Sequence, residues 1–239
     1  MIAVLLAAGI SSRLRPLTNE TPKSLLRVGA TPLLQHTLES LHRNHIRECV
    51  IVTGFYKEKI EGFVQSLSLP LPISFADNPR YATTGNNYSL WTANAHLRNR
   101  DMLLMDADIL FDSRLLSLLI NSPHKNGVII RRTNHLGTEE IKVQVNDADL
   151  ITRIGKDIDP AEAAGESIGI EKFSADAVQI LFEILNRRKE RNEFYEASFQ
   201  EMIDGGEKVN AVDSAGLPCM EIDTFEDLTA ANELAKTIR

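Results

Sequence analysis

Short apolar runs alternate with segments of helical periodicity over the first half of the chain. Apolar runs at Ile2 to Ala8 and Cys49 to Thr53 suit strands that are buried on both faces, and further short strands are predicted at Ile73 to Ala76 and Met102 to Met105. Apolar residues at helical spacing predict helices at Pro32 to Asn44, Lys57 to Leu67, from about Ser89 onward, and at Ser113 to Ile120. We expect Thr31 to cap the first of these helices and Asp112 to cap the last. Strands and helices in alternation predict a parallel α/β sheet.

The second half has shorter strands and less regular spacing. Strands are predicted at Gly127 to Arg131, Glu140 to Asn146, Leu150 to Gly155, Glu166 to Phe173, Lys208 to Val212 and Met220 to Ile222. Helices are predicted at Ala175 to Lys189, at about Ala197 to Asp204 and at Thr224 to Ile238. The last helix should begin with a capping box between Thr224 and Asp227, and it should bury Phe225, Leu228, Ala231, Ala235 and Ile238. No linker interrupts the pattern, so we expect a single domain over residues 1–239, with a mixed sheet in its second half.

Composition and charge narrow the class of protein. Of the 239 residues, 43% are hydrophobic and 25% are charged, which is typical of a globular protein. The net charge of −7 and the lack of a basic stripe argue against nucleic acid as a partner. Cys49 and Cys219 lack metal-ligand spacing, and we expect reduced thiols. No secretion signal or membrane-spanning run is apparent, so a cytoplasmic protein without a membrane partner is expected.

A polar loop follows the first apolar run. It begins at Gly9, contains Arg13 and Lys23, and is interrupted by Pro16 and Pro22, which argue against a continuous helix. Ligands bind at the carboxyl ends of strands in open α/β sheets, and backbone amides with an Arg and a Lys suit a polyphosphate. Neither the G-x-x-x-x-G-K-[ST] motif nor the G-x-G-x-x-G motif is present here.

The loop resembles the signature of nucleotidyltransferases that act on sugar phosphates and alcohol phosphates. That signature reads L-A-A-G, R-L-x-P-L-T and P-K-x-L-L-x-V, and it stands at Leu5 to Gly9, Arg13 to Thr18 and Pro22 to Val28. Many members have a second glycine where this chain has Ser11. Over nearly its whole length the chain is similar to cytidylyltransferases that activate phosphocholine and related alcohol phosphates, at Asn86 to Leu90, Asp106 to Asp108, Gly155 to Ile158, Glu166 to Ile170 and Glu221 to Thr224.

This resemblance implies a fold and a division of the chain. The fold is a Rossmann-like three-layer α/β/α arrangement with a mixed, mainly parallel central sheet, as in nucleotide-diphospho-sugar transferases. Residues 1–125 would form the nucleotide-binding half, and residues 126–239 would form the acceptor-binding half.

The resemblance also assigns metal and catalytic roles. Asp108 and Asp223 would bind Mg²⁺, and a two-carboxylate site that is completed by substrate phosphates suits that ion. From the residues alone, Asp108 can equally be a turn residue and Asp223 a helix cap. Arg13 and Lys23 would be catalytic, holding the triphosphate and stabilising the charge on departing pyrophosphate, although either can be a solvated loop residue.

Nucleotide binding is assigned to residues of the N-terminal loop and of mid-chain motifs, namely Leu6, Ala7, Ala8, Gly9, Ser11, Ser12, Arg13, Lys23, Asn86, Asn87, Ser89 and Asp106. The amides and hydroxyl of Asn86, Asn87 and Ser89 can read a base edge, or they can cap a helix. Their N-N-x-S-L arrangement resembles the phosphocholine group, and this favours CTP.

The acceptor is assigned to residues of the second half. Lys156 matches a lysine that contacts the acceptor phosphate, with Lys142 as a second candidate, while Glu166 suits an ammonium group. As alternatives, Lys156 can pair with Asp157 or Asp159 on the surface, and Glu166 can be an exposed strand residue. A cation–π wall for a quaternary amine is a further hypothesis, with core packing as its alternative, for Tyr81, Trp91, Phe194 and Tyr195.

The sequence therefore predicts a Mg²⁺-dependent transfer from CTP to a small phosphorylated alcohol or amine, giving a CDP derivative and pyrophosphate. One alternative is a sugar-1-phosphate nucleotidyltransferase that uses UTP, dTTP or GTP. Another is a regulatory module that binds nucleotide without turnover. The identity of the acceptor and the oligomeric state, including a homo-oligomer, are left open.

Overall fold

The computed structural model describes residues 1–133 and 136–238. Its strands, numbered β1 to β13 in chain order, are Ile2–Ala7, Arg27–Val28, Thr31–Pro32, Cys49–Thr53, Ile73–Asp77, Met102–Asp106, Ile109–Phe111, Gly127–Arg131, Lys142–Val145, Ile151–Gly155, Gly165–Phe173, Asn210–Asp213 and Cys219–Glu221. Its α-helices, α1 to α7, are Leu33–Arg43, Lys57–Ser66, Asn86–Thr92, Arg114–Asn121, Ala175–Arg188, Glu196–Asp204 and Phe225–Leu234.

A central sheet of nine strands organises the molecule. Seven of them follow the order β10-β9-β11-β6-β1-β4-β5, and β8 lies beside β11 with β12 on its other side. Strands β6, β1, β4 and β5 are mutually parallel, whereas β11 runs antiparallel to β6 and β8. The predicted Rossmann-like fold with a mixed, mainly parallel sheet is therefore confirmed.

Each face of the sheet is covered by helices, because successive residues of a strand point to opposite faces. On one face, Val4 packs in a cluster with residues of α3, α5 and α6, including Leu90 and Phe199. On the other face, Leu5 packs in a cluster with residues of α1, α2 and α4, including Leu38. The predicted three layers follow from this arrangement.

A third, smaller apolar cluster lies outside the sheet and fixes the position of the loop that follows β1. Leu14 and Val28 from the N-terminal segment pack with Leu110 of β7 and with Ile222 and Ala231 near the end of the chain. Strands β7 and β13 pair antiparallel with each other in a separate two-stranded sheet. These contacts bring the segment that follows β1 together with the C-terminal segment of the described chain.

Several element boundaries differ from the prediction. Thr31 caps no helix, because Thr31–Pro32 form β3 opposite β2. Helix α3 begins at Asn86 rather than near Ser89. Strand β7 was not predicted, since three apolar residues are too few to show a period.

Two predicted helix caps, Asp112 and Thr224, agree with the structure. Asp112 accepts a hydrogen bond from the backbone N–H of Arg114, so it does cap the first turn of α4. The capping box of Thr224 and Asp227 is present at the start of α7. However, the Phe225 side chain in that turn is exposed rather than buried. None of the helices in the described ranges is long and apolar enough to cross a membrane.

Candidate active site

Two acids from distant parts of the chain meet at the carboxyl end of β6. Asp108 lies two residues after the end of this strand, in the turn before β7. Glu221 of β13 pairs with Ile109 of β7, and the N–H of Ile222 donates to the carbonyl of Asp108 at 3.1 Å. The pairing of β7 with β13 therefore places Asp223 beside Asp108, as the metal prediction requires.

Lys23 lies between these two acids. Its ammonium nitrogen is 2.9 Å from Asp108 Oδ2 and 2.6 Å from Asp223 Oδ1, and its side chain is only 6% exposed. Burial disfavours the charge of Lys23, but the two carboxylates outweigh this and raise its pKa. Lys23 is therefore a charged lysine and not a solvated loop residue.

Arg13 completes this group from the exposed side. It lies in the 3₁₀ turn Ser12–Leu14, and its guanidinium nitrogen is 2.6 Å from Asp223 Oδ2. Burial acts to raise the pKa of Asp223, yet Lys23 and Arg13 together hold it below its usual value. The ionised Asp223 is thus shared between two cations that a triphosphate would attract.

Glu221 is a third acid at this position, and the sequence analysis gave it no role. Single ligand atoms of Asp108, Glu221 and Asp223 all lie within 4.8 Å of one another. Desolvation and the carboxylates of Asp108 and Asp223 raise the pKa of Glu221 to about 8. Asp108 Oδ1 is buried without a hydrogen-bond partner among the described residues. Three carboxylates with an unused oxygen suit a divalent cation with hard oxygen ligands. The E-I-D-T motif at Glu221 to Thr224 was the signal in the sequence that could have identified it.

The N-terminal loop forms an open turn at the end of β1. Ser11 has φ 54° and ψ 52°, a left-handed conformation that glycine adopts most easily, and this explains the glycine common at that position. The hydroxyl of Thr18 donates to the carbonyl of Ser11 at 2.8 Å and holds the turn. A Cβ built on Gly9 would meet open space. Of the remaining nucleotide candidates, Leu6 and Ala7 are the last two residues of β1, whereas Ala8 and Ser12 belong to the loop.

The mid-chain polar residues make internal hydrogen bonds. The Asn87 amide donates to the carbonyls of Arg188 and Arg191. Asn86 Oδ1 accepts from the N–H of Tyr195, and Ser89 Oγ accepts from Asn78 Nδ2 at 2.9 Å. These bonds tie α3 to neighbouring segments, so base recognition by these three residues stays a prediction.

The acceptor candidates have partners that the sequence did not indicate. Lys156 Nζ is 3.2 Å from Glu139 Oε2 and lies 4.8 Å from the centre of the Phe194 ring, rather than pairing with Asp157. Glu166 is not an exposed strand residue, because it is buried in an ion pair with Arg131 at 2.5 Å.

Lys142 plays a different part. It is 1% exposed, and its ammonium group donates to the carbonyls of Gly137 and Glu140. The contacts that the structure shows for Lys142 thus support the loop before β9. A direct contact with an acceptor phosphate stays a prediction.

The four aromatic candidates have separate contacts. Tyr81 packs against Phe55, and Trp91 packs against Tyr88 with the Lys189 ammonium 3.8 Å from its ring centre. Tyr195 is fully buried and packs against Phe199. Phe194 is half exposed. The structure therefore favours the core-packing alternative for Tyr81 and Tyr195, and it shows no shared wall among these residues.

A second group of acids surrounds Tyr195. The Tyr195 hydroxyl donates to Asp106 Oδ2 at 2.9 Å. Burial and the nearby carboxylates raise the pKa of Asp106 well above its usual value, and burial likewise raises the pKa of Glu171. Burial raises the pKa of Glu196 to about 7. The sequence analysis assigned no role to Glu171 or Glu196, although an acid in the apolar strand I-G-I-E-K-F was a visible signal.

Comparison with known proteins gives this geometry a context. Residues 3–160 match the family described as "MobA-like NTP transferase domain". The chain is 27% identical to the choline-phosphate cytidylyltransferase of Streptococcus pneumoniae, with 99% of each chain covered. It is 25% identical to the CTP:phosphoglutamine cytidylyltransferase of Campylobacter jejuni, covering 95% of this chain and 98% of that protein.

A solved structure shows the same fold. The putative glucose-1-phosphate thymidylyltransferase of Bacillus anthracis superimposes with a TM-score of 0.84. The alignment covers 100% of this chain and 97% of the other, at 20% identity. At that identity the likeness concerns the fold alone.

Proposed function

The chain belongs to the MobA-like NTP transferase domain family and is a nucleotidyltransferase, and from this premise we propose that it transfers a cytidylyl group from CTP to a small phosphorylated alcohol or amine. The observation that carries the proposal is the contact of the buried Lys23 with Asp108 and Asp223, with Arg13 at the same carboxylate. The choice of CTP is supported by the two cytidylyltransferases that match over nearly the whole chain. Those relatives differ in the acceptor that their names give.

The proposed reaction is a single displacement. An oxygen of the acceptor phosphate attacks the α-phosphorus of CTP, the bond from that phosphorus to the bridging α,β-oxygen breaks, and pyrophosphate leaves with the electron pair. The acceptor phosphate is largely ionised at neutral pH, so the attack needs no general base. Catalysis then depends on positioning and on charge stabilisation.

Each end of the site has its own task in this proposal. The end of β1 at Leu6 and Ala7 and the open turn from Ala8 to Ser12 would receive the triphosphate, with backbone amides of the turn as donors. Arg13 and Lys23 would stabilise the charge on the β- and γ-phosphates as pyrophosphate departs. Lys156 would hold the acceptor phosphate after exchanging Glu139 for it. Residues 1–125 would thus bind the nucleotide, and residues 126–239 would supply the acceptor site of the same single domain.

The three-acid group suits a resident divalent cation. Asp108, Glu221 and Asp223 would hold Mg²⁺, since their oxygens converge and one of them is buried without a partner among the described residues. Mg²⁺ commonly combines one or two carboxylates with substrate phosphates and supplies charge neutralisation there. In the structure, Lys23 contacts Asp108 and Asp223, and Arg13 contacts Asp223.

A nucleotide and acceptor panel tests this function. Pyrophosphate release would be measured with CTP, UTP, dTTP or GTP, with Mg²⁺, and with phosphorylated small alcohols, amines and sugars. We expect turnover with CTP and a non-sugar phosphate. A preference for UTP, dTTP or GTP with a sugar 1-phosphate would instead establish the alternative function.

Two variants test the metal assignment. Asp108→Asn and Asp223→Asn should abolish turnover, whereas Asp157→Asn, which changes an exposed acid paired with Arg153, should not. Near-normal rates for both site variants at saturating Mg²⁺ would contradict the assignment.

Lys156→Ala should raise the KM for the acceptor more than the KM for CTP.

A further inference from the structure

An open groove runs along the outer side of α3. It has a volume of about 370 Å³, and its lining includes Tyr88 and Trp91 of α3, Asp77 at the end of β5, and Arg98. Grooves and cavities of about 300–1,000 Å³ are the usual sites of small organic ligands. Among the described residues that line the groove, none is assigned to the metal, the triphosphate or the acceptor phosphate. The groove is therefore separate from the candidate active site.

The wall that α3 contributes to the groove is aromatic. Asn87 and Leu90 of this helix are buried in the protein, whereas Tyr88 and Trp91 are half-buried and line the groove. The two ring centres lie 5.3 Å apart, with 45° between the ring planes. Aromatic side chains at a groove offer large contact surfaces, and nucleic-acid bases stack on them. This wall therefore suits a ligand with a flat ring.

Two cations at the groove lack an acidic partner among the described residues. The exposed Arg98 makes no side-chain hydrogen bond or ion pair within these ranges. The ammonium nitrogen of Lys189 lies 3.8 Å from the centre of the Trp91 ring, and it donates to the amide oxygen of Asn186 at 3.1 Å. Because an amide is neutral, the charge of Lys189 is not balanced by this bond. Both cations are thus available to an anion.

Acids close to the groove already have basic partners. Asp77 Oδ2 is 2.8 Å from Lys57 Nζ. Glu190 is 2.7 Å from Arg80, whose guanidinium carbon lies 4.9 Å from the centre of the Tyr88 ring. The groove therefore carries surplus positive charge, although the net charge of the chain is −7. A local field of this sign attracts anions.

We propose that this groove binds a nucleoside monophosphate, with the base against Tyr88 and Trp91 and the phosphate held by Arg98 and Lys189. Stacking tolerates any base, because every base has a π-face. A phosphate monoester carries a charge of about −1.5 to −2 at neutral pH, which matches two cations without acidic partners, and an arginine binds it by charge-assisted hydrogen bonds. The proposal does not rest on the cytidylyl transfer.

Trp91 reports directly on the groove, because it is the only tryptophan of the chain. The wild-type protein would be titrated with AMP, adenosine and ribose 5-phosphate while tryptophan fluorescence is followed. We expect a saturable change with AMP, and about tenfold or more weaker binding of adenosine and of ribose 5-phosphate, which lack the phosphate and the base respectively. No change with AMP, or equal affinity for either fragment, would overturn the proposal.

Variants assign the binding to residues of the groove. By isothermal titration calorimetry, Arg98→Gln and Trp91→Leu should each weaken AMP binding by about tenfold. Arg43→Gln changes an exposed arginine of α1, on the opposite face of the sheet, and should leave the affinity unchanged. An unchanged affinity in Arg98→Gln, or an equal loss in Arg43→Gln, would overturn the proposal even if Trp91→Leu fails to fold.

A variant of the candidate active site separates the two places where a nucleotide can bind. Lys23→Met removes the cation between Asp108 and Asp223 and leaves the groove unaltered, so AMP should change the Trp91 fluorescence of this variant with the wild-type affinity. Loss of the response would place AMP at the active site and overturn the proposal. Pyrophosphate release from CTP is measured separately, and its absence would refute the transfer without affecting the groove.

Discussion

The ammonium nitrogen of Lys23 lies 2.6 Å from Asp223 Oδ1, although 200 residues separate the two along the chain. Asp108 occupies the other side of the same ammonium group at 2.9 Å. In this arrangement the lysine offsets the repulsion between acids that a divalent cation would otherwise have to offset. The charge balance of the site therefore depends on a residue from the N-terminal loop.

Replacing Lys23 tests this balance. Lys23→Met should lower turnover by roughly 100-fold or more, the usual effect of losing a preorganised charge at a reacting phosphate. It should also increase the rise in unfolding temperature that Mg²⁺ produces, because the acids then repel one another in the metal-free protein. Thermal unfolding with and without MgCl₂ measures this rise. Lys57→Met, which breaks an exposed pair with Asp77, is the control, and an equal Mg²⁺ shift in both variants would contradict the argument.

Asp227 positions Asp223 without belonging to the acidic group. Its Oδ2 accepts from the backbone N–H of Asp223 at 3.0 Å and from that of Thr224 at 2.8 Å. Asp227→Ala should cost about 1 kcal/mol of unfolding free energy, as for other lost helix caps. It should also raise the Mg²⁺ concentration needed for half-maximal activity. Glu226→Ala changes an acid of the same first turn and should leave the Mg²⁺ requirement alone, so a similar rise there would argue against the positioning role.

Gly169 allows β11 to approach Asp106. Its φ of +71° disfavours a side chain, and a Cβ there would also lie 2.9 Å from Ile109 Cδ1. Gly169→Ala should therefore destabilise the protein by more than about 1 kcal/mol. Gly216 has nearly the same φ, +70°, with no atom within 4 Å of a built Cβ. Chemical denaturation of both alanine variants separates backbone strain from close approach, and equal losses would show that the contact with Asp106 contributes nothing.

Glu196 should make stability depend on pH. Its pKa is raised by burial to about 7, while the unfolded chain has the ordinary value of 4.5. Between these values the folded state keeps a proton that the unfolded state releases. The contribution is therefore fully present below about pH 4.5 and is lost as the pH rises through 7.

The corresponding measurement is the free energy of unfolding from pH 5 to 7.5. Glu196→Gln should flatten its decline, removing up to roughly 3 kcal/mol of pH dependence. Glu201→Gln is a matched control, because hydrogen bonds from Arg187 and Arg188 lower the pKa of Glu201 and its titration lies below this window. An unaltered slope in Glu196→Gln would show that another group is responsible.

The sequence by itself determined the features that depend on local patterns. Apolar runs identified β1, β4 and β6, because a strand that is buried on both faces has no polar position to alternate with. The capping box at Thr224 was readable, since both of its partners lie within one helical turn. The N-terminal signature and the E-I-D-T segment indicated nucleotide chemistry through resemblance, before any contact was known.

Tertiary structure decided which charged groups are partners. Glu166 pairs with Arg131 on a neighbouring strand, and Lys156 pairs with Glu139. Neither pairing has a fixed spacing along the chain. The surroundings of Glu221 and Glu171 are known only from the folded protein, in which β13 pairs with β7 and Phe199 of α6 packs against Phe173 of β11. Burial, charge repulsion and unmet hydrogen bonds arise from the folded surroundings of a side chain, and for this reason the sequence could indicate a phosphate-binding loop by its motif but could not indicate the partners of Lys156, Lys142 and Glu166.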